Sequence, residues 1–399
     1  MPKISAKGNR MPQSPIRKLA PYADSAKNLG KKVYHLNIGQ PDIHTPVNAI
    51  NAIKNLNMKV LAYSKSEGET ELRLKIAEYY RKLGIGIFET EIIVTNGASE
   101  ALFFSLGSVM DPDDEIIIPE PFYANYNGFS AANGIKIVPI LSSIDENFAL
   151  PNISEFEKLI TAKTRGIMIC NPNNPTGYVY SRDEIISLVN LVKKYDLFLI
   201  ADEVYREFTY DNCKHTSILE FDEIKKNAIV IDSFSKRYSM CGARIGCVIS
   251  KNNEFIKTVL KFAQARLSPP TVAQIASIAA LDEGDEYFKR VIGEYDKRRK
   301  ILISELKKIN GIKVSEPKGA FYCVLELPVK NSEDFAKWLL EEFDIDNETV
   351  MIAPAAGFYS TKRLGLNQVR IAYVLNEIDL KKSIKIIKKG LTEYCKNEF

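Results

Sequence analysis

The sequence predicts an α/β protein whose large domain has a mainly parallel, doubly wound sheet flanked by helices. Two observations support this prediction. Apolar runs of strand length alternate with helical patterns from about residue 91 to residue 250. Polar groups also follow five of these runs directly, and ligands bind open α/β sheets just beyond the strand ends. The five runs end at Val94, Ile118, Cys170, Ala201 and Ile231.

The remaining segments predict a smaller α+β domain formed by the N- and C-terminal parts of the chain. A charged helix over about 284–309 would link the two domains. Beyond it, strand-like runs surround a helix near 334–343, and an amphipathic helix ends the chain. We therefore expect a large domain at 46–290 and a small domain built from 1–45 and 291–399.

The helices of the large domain carry their own start signals. Ser181 and Glu184 have the spacing of a capping box, in which each side chain bonds the other residue's backbone amide. Apolar residues then follow at helical spacing, at Ile185, Leu188, Val189 and Val192. This pattern predicts a helix immediately before the strand that starts near Leu197.

One lysine stands in a segment suited to cofactor chemistry. Lys236 follows Ser233 and Ser235, and Arg244 lies eight residues further on. A lysine amine forms a Schiff base with the aldehyde of pyridoxal phosphate, and a guanidinium with two hydroxyls can hold the phosphate group. The alternative for such a serine-rich segment is a solvated loop.

A carboxylate follows the apolar run 197–201. Asp202 at a strand end is placed to bind the ring nitrogen of the cofactor and to keep it protonated by opposite charge. Tyr205, three residues later, can donate to the 3-oxygen of the ring. The alternative for Asp202 is a helix N-cap, a common use of aspartate after a strand.

A stiff turn follows the apolar run that ends at Cys170. Its two prolines and Gly177 restrict the segment 171–177, which would hold the amide of Asn174 rigidly. That amide can bond the 3-oxygen and a substrate carboxylate. The alternative is a turn with no further role.

Together these segments resemble the fold-type I aminotransferases, the class I and II family of pyridoxal-phosphate enzymes, from about residue 37 to residue 372. The motifs stand in the family's order. The resemblance implies a role for each matched residue: Asn174 as the asparagine of the family's NPTG turn, Asp202 as the pyridinium partner, Tyr205 as the 3-oxygen donor, Lys236 as the Schiff-base lysine and Arg244 as the phosphate-binding arginine.

The same resemblance implies further cofactor contacts. Ala98 and Ser99 open a helix after a strand, where backbone amides and the helix dipole favour a phosphate. A small-residue helix start for packing is the alternative there. Tyr123 falls where the family stacks an aromatic ring on the cofactor, although the adjacent Phe122 leaves this assignment open by one residue.

Three positions concern the substrate and a second subunit. Gly39 resembles the family's glycine that lies over the substrate, and Arg370 its arginine for the α-carboxylate, bound through two parallel charged hydrogen bonds. The alternative for Arg370 is a salt bridge on an edge strand. Tyr63 resembles a tyrosine that reaches the phosphate of the neighbouring subunit, which implies a homodimer with shared active sites.

Composition excludes several other classes. The 54 basic residues exceed the 50 acidic ones only slightly and are spread along the chain, so no nucleic-acid partner is expected. No run reaches the length of a membrane span, and residues 1–10 lack the apolar core of a signal peptide, so we predict a cytoplasmic protein. The six cysteines form no CxxC pair and the three histidines are isolated, which predicts reduced thiols and no metal site.

We therefore predict a pyridoxal-phosphate-dependent aminotransferase that moves an amino group between an α-amino acid and a 2-oxo acid. The alternatives are a C–S β-lyase on the same scaffold and a non-catalytic regulatory relative, since the fold does not determine which bond breaks. Aspartate, alanine and aromatic donors all stay open. Ser99 stands where some aspartate-specific relatives carry a lysine, and the loop 353–359 departs from the family's usual pattern.

Overall fold

The computed structural model describes residues 2–398 of the chain. Fourteen α-helices occur within these residues. In chain order they are α1 (Ala6–Arg10), α2 (Ala20–Asn28), α3 (Val47–Lys54), α4 (Thr70–Lys82), α5 (Gly97–Val109), α6 (Asn125–Asn133), α7 (Ile153–Leu159), α8 (Arg182–Tyr195), α9 (Phe234–Arg237), α10 (Asn253–Arg266), α11 (Thr271–Ala280), α12 (Asp285–Leu306), α13 (Ser332–Glu341) and α14 (Glu377–Glu398).

Thirteen strands alternate with these helices in the described residues. They are β1 (Lys32–His35), β2 (Ile92–Thr95), β3 (Glu115–Glu120), β4 (Lys136–Leu141), β5 (Thr164–Cys170), β6 (Phe198–Asp202), β7 (Ala228–Ser233), β8 (Gly246–Ile249), β9 (Lys313–Val314), β10 (Tyr322–Glu326), β11 (Glu348–Met351), β12 (Ala353–Pro354) and β13 (Gln368–Ala372).

The largest sheet has seven strands in the order β2-β8-β7-β6-β5-β3-β4. Only β8 runs against its neighbours, and the other strands share one direction. This architecture confirms the predicted mainly parallel, doubly wound sheet. The carboxyl ends of β2, β3, β5, β6 and β7 therefore meet at one edge, where the predicted functional groups follow them.

The central strands of this sheet are buried on both faces, which explains their continuous apolar runs. In β5, Ile167, Met168 and Ile169 are all fully buried, and α8 packs against the neighbouring β6. The predicted capping box begins α8. The Glu184 amide donates to Ser181 Oγ at 3.2 Å, and the Ser181 amide donates to Glu184 Oε2 at 2.7 Å.

Two smaller sheets lie in the N- and C-terminal parts of the chain. One is antiparallel, with the order β12-β13-β10-β9, and the other joins β1 to β11 in parallel. Thus β1 pairs with a strand more than 300 residues away in sequence, as expected if the N-terminal segment completes the C-terminal region. The predicted boundary at residue 290 falls inside α12.

Within residues 2–398, no helix combines the length and the apolar character that crossing a membrane requires. All six cysteines are free thiols. The described residues also contain no group of three or more histidine, cysteine, aspartate or glutamate side chains that could hold a metal ion.

Candidate active site

A cavity of about 680 Å³ opens at the carboxyl edge of the large sheet, between this edge and the antiparallel sheet that contains β10 and β13. It brings together twelve of the thirteen residues that the sequence predicted for the site. These are Gly39, Ala98, Ser99, Tyr123, Asn174, Asp202, Tyr205, Ser233, Ser235, Lys236, Arg244 and Arg370.

The thirteenth residue, Tyr63, does not line this cavity. Its side chain is 80% exposed, in an extended stretch between α3 and α4. Within one chain it therefore contributes nothing to the site.

Lys236 lies in the short helix α9, directly after β7. Its Nζ donates a hydrogen bond of 2.6 Å to the Gly39 carbonyl and lies 3.7 Å from Cys241 Sγ. Ser233 caps the helix, because its hydroxyl accepts from the Ser235 amide at 3.1 Å. The cap places the lysine amine in the cavity while its stem is half-buried, so a solvated loop does not describe this segment.

Asp202 ends β6 and is buried. Its Oδ2 accepts a 2.8 Å hydrogen bond from the hydroxyl of the distant Tyr126. Its Oδ1 accepts a 3.4 Å hydrogen bond from the Val204 amide, which is a local contact in the turn after β6. Burial raises the pKa of Asp202 to about 6, and these two hydrogen bonds oppose the rise. A cation placed beside this carboxylate would be stabilised by its negative charge.

The sequence analysis missed Tyr126. It lies in α6, and its amide donates a 2.9 Å hydrogen bond to the carbonyl of Tyr123, which stands just before the helix. The two rings meet edge to face with their centroids 5.5 Å apart. Tyr123 lines the cavity while Phe122 is fully buried, so the structure favours Tyr123 as the aromatic residue that faces a ligand.

Tyr205 has a partner that the sequence analysis also missed. Its hydroxyl lies 2.8 Å from that of Tyr322, the first residue of β10. Tyr322 also explains why residue 39 is a glycine, because a Cβ built at Gly39 would lie 1.7 Å from the Tyr322 hydroxyl oxygen. Only glycine leaves room for the phenol here. Two aromatic residues, Phe321 and Tyr322, follow the Gly319-Ala320 pair in the sequence, but the tertiary structure was needed to place Tyr322 beside Tyr205.

Arg370 is fully buried on β13, which lies between β12 and β10 and is not an edge strand. Its Nη1 donates to Asn174 Oδ1 at 2.9 Å, and its Nη2 donates to the Asn37 carbonyl. Its Nε has no hydrogen-bond partner among the described residues, and no carboxylate there pairs with it. Burial lowers the pKa of Arg370. A buried guanidinium that lacks an anion is suited to bind a substrate carboxylate.

The other end of the cavity is suited to an anion. Ala98 and Ser99 lie in the first turn of α5, whose free amides carry partial positive charge. Arg244 packs over this turn so closely that a Cβ built at Gly97 would lie 2.3 Å from Arg244 Nη2. Ser233 and Ser235 complete this end, with their hydroxyl oxygens 2.9 Å apart.

The side chains and amides that line this cavity fit pyridoxal phosphate. Backbone amides, hydroxyls and a guanidinium match its phosphate, the buried Asp202 carboxylate matches its ring nitrogen, and the Lys236 amine lies in the same cavity. The unpaired Arg370 Nε on the other side leaves a site for a carboxylate. The fold and this arrangement define the class of fold-type I pyridoxal-phosphate enzymes.

Comparison with known proteins identifies the family. The model of the family "Aminotransferase class I and II" matches residues 31–385. An aspartate aminotransferase from Pyrococcus horikoshii is 34% identical over 95% of both chains. A (5-formylfuran-3-yl)methyl phosphate transaminase from Methanocaldococcus jannaschii is 35% identical over 93% of this chain and 95% of its own. A solved aspartate aminotransferase from Thermotoga maritima superimposes with a TM-score of 0.89 at 31% identity, covering 98% of this chain and 100% of its own.

The chain belongs to the class I and II aminotransferase family and is a pyridoxal-phosphate-dependent aminotransferase, with amino acids and 2-oxo acids as its substrates. This confirms the predicted cofactor and reaction. Neither the C–S β-lyase nor the regulatory alternative is favoured by these comparisons.

Proposed function

We propose that Lys236 is the residue of this aminotransferase that both holds the cofactor and moves the substrate proton. The observation that carries this proposal is that Lys236 lines the same cavity as the acidic Asp202 and the basic Arg370. Once displaced by a substrate amine, the lysine amine acts as general base and then as general acid. Its hydrogen bond to the Gly39 carbonyl gives the free amine a resting place on the substrate side.

Bound pyridoxal phosphate supplies an electron sink for the pair released at the substrate α-carbon. Asp202 would keep the ring nitrogen protonated, because the negative charge of the buried carboxylate stabilises the adjacent positive charge. Tyr205 and Asn174 would donate to the 3-oxygen of the cofactor, and Tyr123 would pack against its ring. Tyr126 holds Asp202 in place through its 2.8 Å hydrogen bond.

Other side chains orient the two ends of the reacting complex. The amides of Ala98 and Ser99 would bind the cofactor phosphate, together with the side chains of Ser233, Ser235 and Arg244. Arg370 and Asn174, already joined at 2.9 Å, would bind the α-carboxylate of the substrate. Holding both ends would limit the positions open to the substrate α-carbon, and such orientation would supply much of the rate.

We also propose a homodimer with shared active sites. Tyr63 and its neighbours Val60 and Leu61 are 80%, 74% and 67% exposed, an apolar surface that water would otherwise cover. A second copy would bury this surface and bring Tyr63 to the phosphate end of the neighbouring site. The division into a large cofactor-binding domain at 46–290 and a small domain from 1–45 and 291–399, and the cytoplasmic location, likewise stay predictions.

Borohydride reduction followed by peptide mapping tests the role of Lys236. Reduction of the holoenzyme should attach the cofactor to Lys236, and the Lys236→Ala variant should bind cofactor without a covalent bond and lose turnover. An exposed lysine on α8, changed as Lys193→Ala, is the matched control and should behave as wild type. Label on a different lysine would overturn the assignment.

A further inference from the structure

A cluster of buried charged side chains lies beside the active site in sequence but outside its cavity. Its members are Glu203, Arg206, Glu207, Asp232 and Arg237, and none of them is among the described residues that line the cavity. Glu203 directly follows Asp202, and Arg237 directly follows Lys236. The proposed reaction uses none of the five, so their burial calls for another explanation.

Arg237 joins two segments of the chain within this cluster. Its side chain is 2% exposed, and its Nη2 donates to both carboxylate oxygens of Asp232, at 2.8 and 2.6 Å. Its Nε lies 2.9 Å from Glu207 Oε1. Asp232 belongs to β7, and Glu207 lies in the turn after β6 that also contains Tyr205. One guanidinium therefore connects the ends of two neighbouring strands.

Helix α4 closes the cluster from a third side. The Tyr79 ring lies against the Arg237 guanidinium, 4.3 Å from its central carbon, and the Tyr79 hydroxyl donates to Glu207. The Tyr80 hydroxyl donates to Asp232 Oδ2 at 3.0 Å. Both carboxylates that bind Arg237 are thus held in turn by α4, which leaves the guanidinium one position.

Stability alone does not account for such a cluster. Removing charges from water costs about as much free energy as their attraction returns, whereas buried polar groups can fix the register between segments. The segment in question is α9, which carries Lys236 and has only four residues. One helical turn is not stable by itself, so the position of α9 depends on its anchors. Arg237 is its last residue and its charged anchor.

We infer that Arg237 is a positioning residue for the reaction, which fixes α9 against the turn after β6 and so places the Lys236 amine. The inference rests on the proposed role of Lys236 and adds a residue outside the cavity. Because Arg237 does not line the cavity, it acts on the cofactor only through the neighbouring lysine. Its replacement should therefore matter only while that lysine is present.

A double-mutant cycle on cofactor affinity tests this dependence. Arg237→Lys keeps the charge, but a single ammonium lacks the planar fork that bonds Asp232 and Glu207 together. With Lys236 present, Arg237→Lys should weaken cofactor binding about tenfold, because a displaced amine captures the cofactor less well. In the Lys236→Ala background the same change should alter affinity less than about twofold. Equal losses in both backgrounds, or no loss in either, would overturn the inference.

Arg299→Lys is the matched control for the loss of a buried guanidinium. Arg299 is 6% exposed and also bonds two carboxylates, those of Asp211 at 2.7 Å and Asp296 at 2.9 Å. It belongs to α12 and is not among the described residues that line the cavity. Arg299→Lys should lower the melting temperature without changing cofactor affinity. An affinity loss equal to that of Arg237→Lys would assign the effect to general destabilisation and overturn the inference.

Tyr79→Phe provides a milder variant that keeps the buried charges. It removes the hydroxyl that donates to Glu207 and leaves the ring against Arg237. With the most active donor among aspartate, alanine and tyrosine, kcat should fall about two- to fivefold for Tyr79→Phe and about 10- to 100-fold for Arg237→Lys. KM for the donor should change less than about twofold in both. A rise in KM with unchanged kcat would place the effect on substrate binding and contradict a role in placing the lysine.

These outcomes separate the inference from the proposed function. If borohydride reduction of the wild-type holoenzyme labels a different lysine, the proposed role of Lys236 fails. If the label is on Lys236 but the cycle shows no coupling between Lys236 and Arg237, only the assignment of Arg237 is wrong.

Discussion

The hydroxyl groups of Tyr205 and Tyr322 lie 2.8 Å apart, although the two are 117 positions apart in sequence. Tyr205 lies in the turn after β6 of the large sheet, and Tyr322 begins β10 of the antiparallel sheet. A hydroxyl can donate only one hydrogen bond. If Tyr205 donates to the 3-oxygen of the cofactor, Tyr322 must donate to Tyr205. The pair therefore sets the direction of hydrogen bonding toward the cofactor.

Replacing Tyr322 with phenylalanine should weaken that bond while keeping the ring that lies 4.4 Å from the Arg370 guanidinium. We expect kcat/KM to fall about fivefold, since the net value of one such hydrogen bond is about 1 kcal/mol. The pH at the midpoint of the change in visible absorption should rise in the holoenzyme, because the deprotonated form of the chromophore loses hydrogen-bond stabilisation. In a double-mutant cycle with Tyr205→Phe the losses should not add, and simple additivity would show that the two hydroxyls act independently.

The pH dependence of cofactor binding reports on Asp202. Because burial raises the pKa of this carboxyl to about 6 in the cofactor-free protein, it becomes protonated as the pH falls through that value. The bound ring nitrogen requires the anion, so cofactor affinity should fall about tenfold for each pH unit below about pH 6. Measuring affinity in the Lys236→Ala background removes the contribution of the covalent bond.

Asp202→Asn in the same background should abolish this dependence and lower turnover of the otherwise wild-type enzyme by orders of magnitude. Near-normal kinetics in Asp202→Asn would mean that the side chain serves only its contact with the Val204 amide.

The approach of Arg244 to α5 depends on Gly97. Its backbone φ is 73°, a value that strains any other residue, and an added Cβ would lie 2.3 Å from Arg244 Nη2. Gly97→Ala should therefore displace the guanidinium and weaken cofactor affinity by about tenfold or more. Equilibrium dialysis would measure the loss. Gly86→Ala is the control, because a Cβ at that position meets nothing within 4 Å.

Shared active sites predict complementation between two inactive variants. A heterodimer of a severely impaired Tyr63 variant and Lys236→Ala contains one doubly damaged site and one intact site. Activity should return to about half of the wild-type value per dimer, and differently tagged chains would prove that the subunits had exchanged. A heterodimer without activity, or a fully active monomer in sedimentation at assay concentration, would rule out the shared site.

Much of the active site was predictable because its residues follow strands directly. Asn174, Asp202 and Lys236 stand beside β5, β6 and β7 in sequence, and parallel strands bring their carboxyl ends together without further information. The antiparallel direction of β8 was not predicted. Its apolar run carries no sign of direction, since burial on both faces looks the same either way.

The sequence by itself predicted twelve of the residues that line the cavity and the alternation of strands and helices that presents them, because these depend on local patterns. Only the tertiary structure decided the contacts between distant segments. Tyr126 on Asp202, Tyr322 beside Tyr205 and Arg17 at the cavity wall depend on how a helix, a second sheet and the N-terminal segment pack around the large sheet. Such contacts arise from the joint burial of apolar surfaces, which no single segment of the chain encodes.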